Sequence, residues 1–207
     1  QKRAFPNQIL AVTFTNKASR EMQNRVSTLL KQNATGMKWL GTFHSLSAKF
    51  LRKHAKALGL NHNFTILDQD DQLRLIKNIC KAENIDIKKI SPNYILAVID
   101  KWKNRGWYPS DVSIKKTEIL EKHFLKIYKI YQEKLLDLNS CDFGDLLLHC
   151  VKLFEKNSDI CQIYSKNFKY ILVDEYQDTN IIQSKWLKLL SSHHENICCV
   201  GDDDQSI

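Results

Sequence analysis

Acid is nearly missing from the first 60 residues, where Glu21 stands alone against eleven Lys or Arg. The remaining positions hold 20 basic and 22 acidic residues, so the formal net charge of +8 is concentrated at the amino-terminal end. Such a distribution does not fit a uniformly solvated surface. It points to a polyanion on one side and a metal or nucleotide site on the other. Other absences narrow the class. No apolar run approaches ~18 residues and no signal peptide opens the chain, which excludes a membrane-spanning helix and gives no membrane partner. The six cysteines lack metal-site spacing, and Cys198 and Cys199 lie inside an apolar run. They read as reduced cytoplasmic thiols serving as small hydrophobes. There is no internal repeat or low-complexity tract. With 43% hydrophobic and 26% charged residues, wholesale disorder is excluded, and 207 residues suffice for one large domain or two small ones.

The stretch that organises the rest runs from Tyr170 to Asn180. Tyr170, Ile171, Leu172 and Val173 predict a strand buried on both faces, as in a parallel sheet covered by helices. Asp174 and Glu175 then sit at its carboxyl end, the edge where open α/β sheets bind ligands. One acid can hold a hydrated Mg²⁺ while its neighbour takes a proton from an attacking water, as phosphoryl transfer requires. A strand end followed by a helix whose first turn favours negative charge explains the same residues equally well at this point.

Gln8 to Phe14 predicts a second buried strand, with Thr15 or Asn16 capping a helix that bears Ala18, Met22, Val26, Leu29 and Leu30. Lys38 to Leu40 predicts a short third strand, and the helix after it carries Phe43, Leu46, Phe50, Leu51 and Leu58 before Gly59 stops it. From about Asp68 to Asn139 the strand signal vanishes. Asp68 caps one helix, Ser91-Pro92 opens another, and Thr117 caps a long third. Asp142 caps a further helix, Thr179 or Asn180 starts the next, and Asn196 to Val200 predicts a last buried strand before Gly201 to Ile207. A helical block between strand-bearing segments reads as an insertion.

Three strand-end signatures occur in order: Thr13-Phe14-Thr15-Asn16-Lys17-Ala18, Asp174 to Asn180, and Val200 to Ile207. Together with Gly41-Thr42-Phe43-His44-Ser45 and Asp142-Phe143-Gly144-Asp145-Leu146-Leu147, they resemble the UvrD/PcrA/Rep-type DNA helicases of superfamily 1. The resemblance implies an α/β fold: a partial parallel-sheet P-loop NTPase (RecA-like) motor domain, over 1–66 and 142–207, with an inserted all-helical subdomain over 67–141. It implies an ATP-dependent 3'-5' DNA helicase and translocase acting in repair or replication, with ATP and Mg²⁺ as cofactors. Its partners would be single-stranded DNA, single/double-strand junctions, and repair or replication proteins.

Carried residue by residue, the resemblance makes Asp174 the holder of the Mg²⁺ of MgATP, Glu175 the general base, and Gln205 the γ-phosphate sensor. Phe14 would stack on a DNA base, Thr15 and Asn16 would lie beside it, and Thr42 and His44 would touch phosphates. A stacking role for Phe14 also suits an aromatic at a strand exit among basic residues. Lys17, Arg20, Lys49, Arg52 and Lys53 are placed to draw a phosphate backbone to that edge, and Lys101, Trp102, Lys103, Arg105 and Trp107 are a separate duplex candidate. The phosphate-cradling loop G-x-x-x-x-G-K-[ST] is absent, since none of the six glycines precedes a lysine. The chain is therefore expected to start after that loop and to be inactive alone. Gly144 also departs from the family, which often has a larger or acidic residue there. Two other readings stay open: a metal-dependent nuclease using Asp174, Glu175, Asp178 and Asp202 to Asp204, and a non-catalytic single-stranded DNA-binding module.

Overall fold

The computed structural model describes residues 4–30, 36–113, 119–202 and 204, with Leu30 and residues 119–121 given by backbone alone. In chain order the elements are β1 (Ile9–Thr13), α1 (Asn16–Leu30), β2 (Leu40–Thr42), α2 (Phe43–His54), β3 (Thr65–Ile66), α3 (Gln69–Ala82) and α4 (Pro92–Asn104). They continue as α5 (Ile119–Asp137), β4 (Ser140–Cys141), α6 (Phe143–Lys156), α7 (Ser158–Asn167), β5 (Tyr170–Val173), α8 (Ile181–Ser191) and β6 (Ile197–Cys199). Residues 1–50 with 150–207 make one compact unit and residues 51–149 a second, the cuts falling inside α2 and α6.

The first unit holds a parallel sheet in the order β2-β1-β5-β6. Because all four strands run the same way, Thr13, Thr42, Val173 and Cys199 end at one edge. The mixed α/β, parallel-sheet class read from the sequence is the class found. Leu10 and Val12 of β1 stand in register with Ile171 and Val173 of β5, and all four are buried. Phe50 is the hub of an aromatic core, with ring centroids 5.4 Å from Phe154, 4.6 Å from Tyr164 and 5.9 Å from Trp186. The Trp186 indole N–H donates to Cys150 Sγ at 3.2 Å, so the one polar atom of that side chain is satisfied.

Two expectations are corrected here. β5 is not buried on both faces: Ile171 and Val173 are, whereas Tyr170 and Leu172 are 37% and 43% exposed. β6 is exposed along its whole length, Cys198 and Cys199 included. An apolar run records the hydrophobicity of both faces but not whether this chain supplies a cover for each. Among the described residues, no helix seals the face that carries Leu172 and Cys198.

The second unit packs α3, α4 and α5 around Ile76, Ile79, Ile95, Ile99, Trp102, Phe124, Ile127, Tyr128 and Tyr131. Asp68 accepts the Asp71 N–H at 2.9 Å, capping α3 as the sequence predicts. The cap expected at Thr117 lies outside the described residues. The unit reaches further than the 67–141 expected for an all-helical insertion, and it contains the parallel pair β3/β4. Strands of two residues leave no periodicity to read. β2 falls two residues later than expected, and α7 is an element that the sequence reading does not contain.

Candidate functional site

The carboxyl edge of the sheet is built by four strand exits. At the exit of β5, Asp174 donates its backbone N–H to Val12 O at 3.0 Å, which holds it against β1. Glu175 then adopts φ 54°, ψ 46°. This left-handed conformation costs a non-glycine residue about 1–3 kcal/mol, and such strain collects where geometry is functional. Both carboxylates are half-buried.

Neighbours over-determine the strained turn. Gln177 Nε2 donates to Glu175 Oε2 at 2.6 Å, and Gln177 Oε1 accepts the Asp202 N–H at 3.2 Å. The Tyr176 N–H donates to Val200 O at 2.9 Å, and the Val200 N–H to Val173 O at 2.8 Å. The loop after β6 is thereby laced to the turn after β5. Gly201 favours that approach, because a Cβ there would lie 2.5 Å from Gln177 Oε1, displacing the amide that holds the loop, and 3.3 Å from its backbone nitrogen. The sequence reading missed Gln177 and Gly201 as positioning residues. Their only signal was membership of the two acidic stretches.

Asp174 and Glu175 line a groove of about 540 Å³, together with Glu21, Met22, Arg25 and Leu172. Glu21 pairs with Arg25 across one helical turn at 2.5 Å. The floor is therefore apolar and the rim is net negative, because its one guanidinium is paired with Glu21; such a lining suits a ligand whose polar end carries a cation. Gln205 lies outside the described residues and Asp204 within them.

At the exit of β1, Phe14 is half-buried, with its ring edge-on to Phe43 at 5.3 Å. Thr15 Oγ1 accepts the Ala18 N–H at 3.1 Å and so caps α1, leaving Thr15 and Asn16 exposed. At the exit of β2, Thr42 is buried, its hydroxyl accepting the Ser45 N–H at 3.2 Å while Ser45 Oγ accepts the Thr42 N–H at 2.9 Å. His44 follows in the first turn of α2, half-buried, and burial pulls its pKa below the usual imidazole value. The Thr13 hydroxyl is fully buried at the same edge and has no hydrogen-bond partner among the described residues.

Two of the basic groups expected to face a polyanion are otherwise engaged. Lys49 Nζ bonds to Lys38 O and lies 4.8 Å from the Trp39 ring centroid. In the second unit, Lys103 is fully buried between Asp142 and Asp145, at 2.6 and 2.8 Å, and Trp102 is core. The duplex-backbone candidate around Lys101 to Trp107 thus loses its central cation, because a lysine held by two buried carboxylates cannot reach solvent. Of that block, Arg105 stacks on Trp107 at 5.1 Å.

Comparison with known proteins agrees with this architecture. The model of the UvrD/REP helicase N-terminal domain matches residues 1–207. The chain is 49% identical over 210 residues to a probable DNA helicase II homolog of Rickettsia conorii, covering 100% of this chain and 32% of that protein. It is 50% identical over 211 residues to DNA helicase II of Rickettsia typhi, again covering 100% of this chain and 32% of that protein. To the ATP-dependent DNA helicase PcrA of Bacillus subtilis it is 43% identical over 207 residues, covering 100% of this chain and 28% of that protein. It therefore spans about a third of the length of the curated relatives it matches. With a match along its whole length and its acidic turn at the carboxyl edge of a parallel sheet, this chain belongs to the UvrD/REP helicase N-terminal domain family.

Proposed function

We propose that the chain forms part of the motor of an ATP-dependent DNA helicase, moving 3'-5' on single-stranded DNA and opening duplex at single/double-strand junctions during cytoplasmic repair or replication. The observation that carries this reading is the strained Glu175 turn, laced through Gln177 to the loop after β6, beside Asp174 in an open groove. Asp174 would hold the Mg²⁺ of MgATP, since this ion is usually bound by one or two carboxylates together with substrate phosphates. Bound there, Mg²⁺ would neutralise charge developing on the phosphate oxygens. Glu175 would accept the proton of the attacking water, held in aim by Gln177. Gln205 would report the γ-phosphate. Because Gln177 touches both the general base and the loop leading to Gln205, a change at the phosphate has a short mechanical path between the two strand exits.

On the DNA side, Phe14 would offer its ring to a base, with Thr15, Asn16 and His44 beside it. Thr42 would act chiefly by capping α2, so that the first-turn N–H groups face a phosphate. Residues 51–149 would be the inserted subdomain of the family, drawn wider than the sequence suggested.

A nuclease would need several carboxylates gathered on shared metals. Among the described residues, which leave out Asp203, no group of three or more His, Cys, Asp or Glu is so placed. The test is a chimera of Bacillus subtilis PcrA carrying this chain in place of its matching segment. Glu175→Gln in that chimera should keep nucleotide binding and lower DNA-stimulated ATP hydrolysis by roughly 10² to 10⁴, the usual worth of a general base. Unchanged turnover would reduce Glu175 to a helix-start acid. Mg²⁺-dependent DNA cleavage without ATP would favour the nuclease.

A further inference from the structure

We propose that the cleft at the carboxyl end of α2, in the second unit, binds the phosphodiester backbone of duplex DNA. This rests on the reading of DNA as substrate and adds a site to it. The last turn of α2 carries Arg52, Lys53 and His54, the 3-10 turn Ala55–Leu58 adds Lys56, and the following loop brings in Asn61 and His62. These residues line a cleft of about 360 Å³ that contains no acid. The surrounding sequence supplies none either, since no Asp or Glu occurs between Glu21 and Asp68.

Cations in a last turn can be explained locally, because they offset the negative end of the helix dipole. That accounts for Arg52 and Lys53 but not for Lys56 and His62, which lie beyond the helix. The cleft is also fixed in shape. Gly59, at φ 74°, reverses the chain and donates its N–H to Lys56 O at 3.2 Å. Asn139 Oδ1 accepts the Asn61 N–H at 2.8 Å and so pins the loop. Arg52 lies 4.8 Å from the centroid of the buried Phe64 ring and donates to His62 O at 3.2 Å. Its planar fork has five N–H donors, so one such bond orients the guanidinium while leaving most donors for an anion.

The lining also selects the form of nucleic acid. Single strands are held by aromatic platforms on which unpaired bases stack. No Phe, Tyr or Trp lines this cleft. What it offers is charge and hydrogen-bond donors, which suits a helix that turns its bases inward and presents only phosphates.

The experiment is fluorescence anisotropy on the 207-residue chain, with a labelled duplex and the matching single strand, over a series of salt concentrations. Lys53 and Lys56 are exposed, so Lys53→Ala/Lys56→Ala should melt like the parent. The double variant should bind duplex about tenfold more weakly, with a salt slope shallower by about 1.8, as expected for two lost phosphate contacts. Single-strand affinity should change less than about twofold, because the cleft has no aromatic platform to hold unpaired bases and the single strand is held elsewhere. Lys77→Ala/Lys81→Ala on α3 removes equal charge elsewhere and should leave duplex binding near that of the parent. Equal loss in this control, equal loss of single-strand binding, or unchanged duplex binding would each overturn the inference. Phe14→Ala, run alongside, weakens only the single strand if the DNA reading holds. If the parent chain binds neither DNA, that reading fails first.

Discussion

Two pairs of acids follow two strand ends in this chain, and their environments make them opposites. Asp142 and Asp145 follow β4 in the second unit and are buried, capping α6 reciprocally: the Asp145 N–H reaches Asp142 Oδ1 at 2.8 Å and the Asp142 N–H reaches Asp145 Oδ2 at 3.2 Å. Lys103 bridges them, Tyr131 donates to Asp142 at 3.0 Å, and Gln132 donates to Asp145 at 2.7 Å. Asp174 and Glu175 follow β5 in the first unit, line an open groove, and show no lysine or arginine bridging the pair among the described ion pairs. The first pair shares one buried ammonium, and its oxygens are engaged by donors. The second keeps capacity for a ligand. An acid at a strand end is thus ambiguous until burial and counter-charge are known.

The largest expected effect breaks the closed pair. Burial disfavours the Lys103 ammonium, but Asp142 and Asp145 outweigh it and hold the lysine protonated. Burial likewise pushes the Asp145 carboxyl up, yet Lys103 and His149 bring it below the usual range. Lys103→Ala would strand two carboxylates away from water and should destabilise the chain by about 3–5 kcal/mol, measured by urea denaturation. Asp174→Asn and Glu175→Gln should shift the same measurement by less than about 0.5 kcal/mol, because their groups are half-exposed. Equal effects at the two pairs would erase the distinction. Gly144 belongs to this side of the comparison: a Cβ there would lie 2.9 Å from Lys103 Cδ. Its departure from the family pattern thus bears on the room for the buried lysine as well as on the first turn of its helix.

The sheet class, the caps at Asp68, Asp142 and Asn180, and the edge carrying Asp174 and Glu175 were legible because each rests on local spacing or on a chemically specific residue type. What was not legible depends on distant partners. Leu172 and Cys198 have the hydrophobicity of buried strand residues, but burial is decided by what covers them. Lys103 reads as one more cation in a basic block, and only the fold brings two acids from 39 and 42 residues further along the chain to it. Glu175 could not be seen as strained, since left-handed backbone at a non-glycine is fixed by its surroundings.

A smaller effect sharpens the open side. Phe14 packs edge-on against Phe43, so removing it can disturb the core as well as a stacking surface. Phe14→Ala should weaken single-stranded DNA binding by about 1–3 kcal/mol with the salt slope nearly unchanged. Phe14→Leu, which retains apolar bulk but has no ring, separates the two roles. If stacking is what matters, Phe14→Leu melts near the parent and still loses most of the affinity. Should Phe14→Leu bind like the parent, Phe14 belongs to the core.

The smallest effect lies beside the closed pair and concerns pH. Asp100 is exposed, yet its pKa is pushed up to about 6, by desolvation from its dense surroundings first and by the negative charge of Asp142 next, with Lys103 opposing and Asp145 adding. A carboxyl whose folded pKa exceeds its unfolded value binds its proton more tightly in the folded state, so its contribution to stability is present below about pH 4 and is lost as pH rises to about 6. Asp142, raised by burial and by Asp145, pushes in the same direction. Asp145, held low, acts in the opposite sense and below pH 4, outside this window. Asp100→Asn removes one titration without adding a charge. Its stability should therefore fall less than the parent's between about pH 4 and 6, and it should exceed the parent's at neutral pH by under about 1 kcal/mol, the ceiling set by solvent screening. Urea midpoints across that range measure this. Parallel curves for the two proteins would mean that solvent reaches Asp100 freely enough to cancel the repulsion from Asp142, and the closed region would then end at Lys103.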